Sequence, residues 1–364
     1  MHIVEKILRS INLTLRDHYN IYILDEDWEL FKTPLTNANG EVDLGKFLNR
    51  QEKSVELIQT ILDYHGKGEI VKFLAELANI EPRIQTLQPR VRDHVVHAIN
   101  TFLLGVYILK KVAFPRIVNT RFNYKFMWKL CGPTHDLGYP IEIAKNVENP
   151  FTNKVNDILG RINSPSPRII TNIYPYNLNA LCNENDANDL IQTRTDEWEL
   201  GIDIESYYTW LRNQNRVDHG VISALAQLKI IDALYQAHNP NREEREIVWN
   251  GLNYNQRNFI YDIVSASSAL FIHNIDLEYP GFSNKIKFDV APLAFLLFLC
   301  DTFQEWDRYS QNRPVHSGNN FNIICERNSI SLFVPNELEE KVLSTLNKRL
   351  SGLRIFVNNR IAVT

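Results

Sequence analysis

Apolar residues recur at intervals of three and four along much of this chain, the repeat that lines one face of a helix. The pattern predicts helices over residues 1–18 and 53–80, where "SVELIQTILDYH" and "EIVKFLAELANI" carry it. A longer helix is predicted from Pro89 through "PRVRDHVVHAINTFLLGVYILKKV", with the proline in its first turn. "YKFMWKLC" is another apolar segment, and it runs into Gly132-Pro133. Residues 146–200 break the pattern. They are rich in Asn, Pro, Ser and Asp, and they read as a long insertion with short helices, suited to a lid. Helical spacing resumes in "GVISALAQLKIIDALYQAH", in "NQRNFIYDIVSASSALFIH" and in "VAPLAFLLFLCDTFQEWDRYS". After "QNRPVHSGNN" the period changes. "FNIICERNSISLFV" alternates as strands do, "NELEEKVLSTLNKRL" is a capped amphipathic helix, and "LRIFVNN" is a strand. The expected fold is mainly α. It comprises a helical domain over 1–316, opening with helices within 1–88, and a small α+β module over 317–364.

Composition narrows the function classes. The 364 residues suffice for one large domain or two ordinary ones. The hydrophobic fraction of 44% and charged fraction of 23% are those of a folded, water-soluble chain. A formal net charge of -4 argues against an overall nucleic-acid surface, though not against a local basic patch. No apolar run reaches membrane-span length, and the amphipathic start lacks the apolar core of a secretory signal. The four cysteines are scattered without a C-x-x-C pair, against both a disulfide framework and a thiolate zinc site. A reducing cytoplasm is the expected compartment.

Candidate chemistry lies in histidines and carboxylates at the margins of apolar helices. The helix of "PLAFLLFLCDTFQEW" is apolar nearly all round until Asp301. An unpaired carboxylate buried there would cost several kcal/mol or take up a proton, and a cation removes that cost. A partner such as Arg308 would do so as well. His97 sits at the edge of another apolar face, and His94, three residues earlier, competes for the same assignment. His273 closes a third apolar helix, where it could equally serve the helix dipole. His219 opens a fourth, with Asp218 as the better cap. Between these, "THDLGYP" sets His135 directly before Asp136. A turn leaving a buried segment can aim both at one ion, and the carboxylate can bridge to a second. Imidazole and carboxylate in such mixtures bind Mn, Fe, Zn, Ni or Mg, and helical bundles build such sites centrally.

The order His97, His135-Asp136, Asp301 resembles the HD superfamily of metal-dependent phosphohydrolases. "HAINTFLLGVYIL" is similar to that family's first-histidine helix, "THDLGYP" to its HD turn, and "LFLCDTFQEWDR" to its last-aspartate helix. The likeness covers about 89–309 and leaves out the 146–200 insertion and the tail. It implies an HD-type helical bundle. It also implies one or two divalent ions (Mn, Fe, Ni, Zn, Co or Mg), held by His97, His135, Asp136 and Asp301. On the same resemblance, Asp136, His219 and His273 carry catalysis. The two histidines would bind a second ion, protonate the leaving oxygen or stabilise developing charge. Arg92, Lys145 and Arg308 are the nearest cations to offset substrate phosphates. The implied reaction is hydrolysis of a phosphoester or phosphoanhydride, most simply of a nucleotide, as a dNTP triphosphohydrolase or nucleotide phosphodiesterase would catalyse. Two alternatives stand beside it. One is a metal-dependent nuclease on single-stranded nucleic acid, and the other a non-catalytic nucleotide-binding regulator on the same scaffold. The expected partner is a phosphorylated small molecule, with no membrane. The tail strands need a partner surface, either the helical body or a second copy in a homodimer.

Overall fold

The computed structural model describes residues 1–22, 25–36, 41–63, 94–116, 124–145, 156–157, 181, 186–238, 246–249, 252–255, 259–308 and 314–364. Arg92, the segment "EIVKFLAELANI", the predicted helix start at Pro89 and most of the 146–200 insertion lie outside them.

Helix α1 (Ile3–Tyr19) opens on His2, whose Nδ1 accepts from the Val4 N–H, and buries Ile3, Ile7, Ile11 and Leu15 along one stripe. Helix α2 (Asp25–Lys32) follows. Helix α3 (Leu44–Asp63) starts ahead of the predicted 53 because Asp43 caps it, accepting from the Lys46 N–H at 3.0 Å. Helix α4 (Val95–Lys111) is buried on every side from Val95 to Ile108, as its apolar sequence demands. Against it lies α5 (Tyr124–Cys131). The Trp128 indole crosses Gly105 and donates to the Phe102 carbonyl at 2.9 Å; a Cβ on Gly105 would stand 2.0 Å from the ring. A 3₁₀ turn, Gly132–Thr134, then leads into the turn 135–138 and a helical stretch over 139–145.

Helix α6 (Ala187–Glu197) occupies the end of the predicted insertion and is capped by Asp186, which accepts from Asn188 N–H at 2.8 Å. Helix α7 (Ile204–Asn213) is capped by Asp203. Helix α8 (His219–His238) starts at Asp218, whose Oδ1 accepts from Gly220 N–H at 2.7 Å, the cap expected from the sequence. Strands β1 (Glu246–Trp249) and β2 (Leu252–Asn255) form an antiparallel hairpin inside a body read from sequence as all-helical. A π turn, Phe259–Ile263, runs straight into α9 (Val264–His273). After the short β3 (Ile286–Lys287) comes α10 (Pro292–Phe303), with Pro292 in its first turn.

The remaining elements are β4 (Asn322–Glu326), β5 (Ser329–Phe333), α11 (Asn336–Arg349), β6 (Leu350–Ser351), β7 (Arg354–Val357) and β8 (Arg360–Val363). The sheet order is β4-β5-β7-β8, with β5 and β7 parallel and the outer pairs antiparallel. The molecule is thus largely helical with a small C-terminal sheet. That tail does not stand apart. β6 pairs in parallel with β3, and Arg349 donates to the carbonyls of Phe282 (2.6 Å) and Asp276 (2.9 Å) in the loop between α9 and α10. One hydrophobic cluster includes Ile3, Leu104, Leu270, Leu296, Leu332 and Val357. Among the described residues no helix is long and apolar enough to cross a membrane.

Candidate metal centre

Four helices and one turn converge on one site. His97 comes from the first turns of α4, His219 from the start of α8, His273 from the end of α9 and Asp301 from the last turn of α10. The turn after α5 brings His135 and Asp136. That turn is strapped to α8 by Ser223, whose hydroxyl donates to the His135 carbonyl and accepts from the Gly138 N–H, each at 2.8 Å. Gly138 is required by the close approach. A Cβ there would stand 2.4 Å from the His219 carbonyl oxygen and 2.6 Å from Ile222 Cβ. A further chain of buried hydrogen bonds, from Ser267 to Gln227 and from Gln227 to Leu130 O, ties α9 and α8 to the end of α5 just ahead of this turn.

Hydrogen bonds also fix which ring nitrogen faces inward. His135 Nδ1 donates to Gly132 O at 2.8 Å and His273 Nδ1 donates to Leu270 O at 2.5 Å. A carbonyl oxygen can only accept, so both rings present an Nε2 lone pair. Both of these Nε2 atoms are buried without a hydrogen-bond partner. For His97 the orienting group is Gln304, whose Nε2 donates to Trp306 O at 2.9 Å, leaving Oε1 to accept from His97 Nδ1. His97 Nε2 therefore also faces inward as an acceptor, 2.8 Å from Asp301 Oδ1.

Acceptors now face acceptors. His97 Nε2 lies 3.9 Å and His135 Nε2 3.5 Å from Asp136 Oδ2, and His135 Nε2 lies 3.8 Å from Asp301 Oδ1. Donors held about 2.1 Å from one ion stand about 3.0 Å apart at right angles and about 4.2 Å apart when opposed. The observed separations fall in or near that span. Two trios meet the requirement for a common ion: His97, His135 and Asp136, and then Asp136, His219 and His273. Asp136 belongs to both, so its two oxygens can serve two ions. His94 takes a different place. Its Nδ1 bonds Asp136 Oδ2 at 2.8 Å and its ring lies on Tyr139 at 3.4 Å, so it orients the carboxylate rather than joining a trio.

Electrostatics follow from this crowding. Burial pushes His94 and His273 down to about 3, and His219 and His135 add to the effect on His273. Burial and the nearby Arg308 charge lower His97. Burial alone would raise Asp136, but His135 and His94 bring it well below the carboxylate range. Asp301 is likewise held low, with His97 outweighing its desolvation. His219 moves the other way. Burial opposes its charge, yet Glu142 and Asp136 raise it well above the usual imidazole value. Its Nδ1 bonds Glu142 Oε2 at 2.6 Å, and its Nε2 lies 3.2 Å from Asp136 Oδ1.

Six of the sequence candidates thus come together: His97, His135, Asp136, His219, His273 and Asp301. Asp301 pairs with histidines; among the described ion pairs none joins it to Arg308. Arg308 acts on His94 and His97 through its charge. Lys145 is buried in the stretch 139–145. Sequence reading missed Glu142, Gln304, Tyr139 and Ser223. Gln304 was open to detection, since a polar residue three positions after Asp301 shares its helix face. Glu142 carries no comparable signal. No protein-family model, no curated protein and no solved structure matches this chain.

Proposed function

We propose that this protein is a metal-dependent phosphohydrolase on an HD-type helical bundle, cleaving a phosphoester or phosphoanhydride bond, with nucleotides as the first substrate class to assay. The reading rests on one observation above the rest: the buried, unpartnered His135 Nε2 faces the Asp136 and Asp301 carboxylates, which cannot donate to it, and the unpartnered His273 Nε2 lies in a second trio with Asp136. A divalent ion held by the first trio would satisfy His135 Nε2 and the carboxylates it faces. The histidine-rich donor set favours Mn, Fe, Co, Ni or Zn over Mg, which prefers oxygen.

His97, His135, Asp136 and Asp301 would hold the first ion. When bound, such an ion polarises a phosphoryl oxygen and brings the pKa of its water toward neutrality. The chain's own residues supply the remainder. Gln304, and the carbonyls of Gly132 and Leu270, keep the imidazole lone pairs turned inward. Glu142 holds His219 with its charge stabilised and a proton on Nε2. That proton passes to the leaving oxygen as the P–O bond to it breaks and water oxygen bonds to phosphorus. The products are an alcohol or phosphate and the released phosphate, and a proton from the attacking water restores His219. A second ion in the Asp136, His219, His273 trio would compete with that proton for His219 Nε2.

The test is to strip the protein with chelator, titrate it with each divalent ion by calorimetry, and assay phosphoesters, cyclic nucleotides and nucleoside triphosphates with the ions that bind. Tight binding with metal-dependent phosphate release is expected. Failure of every ion to bind tightly, or binding without hydrolysis of any member of the panel, would overturn the proposal.

A further inference from the structure

The metal centre opens on one side into a cavity of about 520 Å³ between α7, α8, the loop after α9, and α10. That size accommodates a small organic ligand. His273 and Asp301 form its inner wall, so the unpartnered His273 Nε2 lies where the cavity meets the centre. Asp301, with 29% of its side chain accessible, is the ligand most open to a bound molecule.

The charge of this cavity is one-sided. Glu142, Asp218, Asp276 and Glu278 line it in addition to Asp301, against a single guanidinium, Arg216. Arg216 is already committed, ion-paired with Asp276 and placed over the Trp210 ring at 5.9 Å. Three of the carboxylates have partners inside the protein. Glu142 holds His219, Asp218 accepts from Tyr207 and Asn274, and Asp276 holds Arg216. Glu278 is exposed at the rim, its backbone N–H donating to Asp276 Oδ1 at 2.7 Å. Arg308 stands by His94 and His97 and is not among the lining residues.

A single phosphoryl group at the centre would meet the ion and His219. A second and third phosphate extending into the cavity would meet carboxylates with no free cation among the described lining residues. We infer that the cavity holds the organic half of a phosphate monoester, and that this half carries hydrogen-bond donors, as hydroxyl or ammonium groups, and no negative charge. Phe298 and Tyr207 supply the apolar wall against which its carbon skeleton lies. The inference rests on the phosphohydrolase reading and narrows it away from nucleoside triphosphates and nucleic-acid strands, whose phosphates are repelled by the same wall.

The test uses the full chain loaded with Mn and four substrates: an ammonium-bearing alkyl phosphate, a polyol phosphate, a carboxylated alkyl phosphate of the same length, and a nucleoside triphosphate. The expected result is a kcat/KM at least tenfold higher for the first two. Glu278→Lys, at an exposed position outside the centre, should narrow that gap at least threefold through KM rather than kcat. Saturation-transfer NMR on chelator-treated protein gives a second readout, with the ammonium and polyol alcohols binding and the carboxylated alcohol not. Preference for the triphosphate or the carboxylated ester, or unchanged selectivity in Glu278→Lys, overturns the inference and leaves the hydrolase reading standing. If no ester is cleaved, the hydrolase reading falls, and the NMR comparison still decides the character of the cavity.

Discussion

Replacing Gly138 with alanine tests whether the turn 135–138 is pinned to α8 as tightly as the geometry demands. The new Cβ would enter at 2.4 Å from His219 O and 2.6 Å from Ile222 Cβ. Comfortable carbon contacts begin near 3.5 Å, so the turn and α8 must separate by about 1 Å. Separation strains the Gly138 N–H bond to Ser223 and the Ser223 bond to His135 O. Overpacking costs about 1–3 kcal/mol and a buried N–H left unmade costs about 1–3 more. At about 2 °C per kcal/mol for a chain of this size, the melting temperature should fall by roughly 4–12 °C. Ligand atoms must be held within about 0.5 Å to bind well, so the same shift should also weaken metal binding by about 10–100-fold. Ser223→Ala is the companion variant. It removes the strap without adding bulk, and should give a smaller loss of both quantities. Thermal melts of the chelator-treated protein and calorimetric metal titrations measure them. Wild-type stability together with wild-type metal affinity in Gly138→Ala would show that the turn does not pack on α8 as described.

Other outcomes follow from the same geometry. Mass-spectrometric metal analysis should find one tightly held ion per wild-type chain and none in Asp136→Ala, while a second ion, if added in excess, should be lost in His273→Ala and should slow turnover by displacing the His219 proton. Asp136→Ala and Asp301→Ala should each shrink the metal-induced rise in melting temperature, and their losses of turnover should be far from additive because both break one ligand set; additive losses would mean the two residues do not share an ion. Lys129, buried in α5, has its ammonium pushed down to about 7 by desolvation, against 10.5 in the open chain. Between those values the unfolded chain binds more protons, so Lys129 destabilises the fold fully below pH 7 and progressively less up to pH 10.5. Lys129→Met should therefore stabilise by up to about 3–5 kcal/mol near pH 6, with the gain fading by pH 10.5 in urea melts; a gain independent of pH would refute the cause.

Much of the helical architecture was legible because apolar spacing is dense in α1, α4, α5 and α10. Helix α6 was not. Its buried stripe is Ala187, Asn188, Ile191 and Thr195, in which Ile191 alone is large and apolar, too little to set a period, and Asn188 is buried with its side-chain oxygen accepting from the Tyr208 hydroxyl at 2.8 Å. Helix α7 carries a stripe, Ile204, Tyr207, Tyr208 and Leu211, but it lies just past the 146–200 insertion, in a stretch to which the sequence reading assigns no element. The hairpin β1–β2 brackets Asn250-Gly251, a strong turn signal that a helical reading of the flanks obscured. At the site, residue types at the ends of apolar helices singled out the six converging side chains. What they could not express is direction. His94 and His97 are one turn apart and equally apolar in setting, and only Gln304 and Tyr139, brought from other elements, separate their roles.

Arg349 gives the centre a place in time. It clamps the loop that joins the His273 helix to the Asp301 helix, yet it follows both by many positions in the chain. A ribosome delivers the chain from its N-terminus, so every candidate ligand is synthesised before this clamp exists. During that interval α9 and α10 can form, but the loop between them has neither its guanidinium nor the β6 partner of β3. On the proposed metal-binding reading, capture of an ion in the native arrangement is thus tied to synthesis of the tail. A nascent chain halted between Asp301 and Arg349 would carry all six candidate ligands and hold an ion poorly.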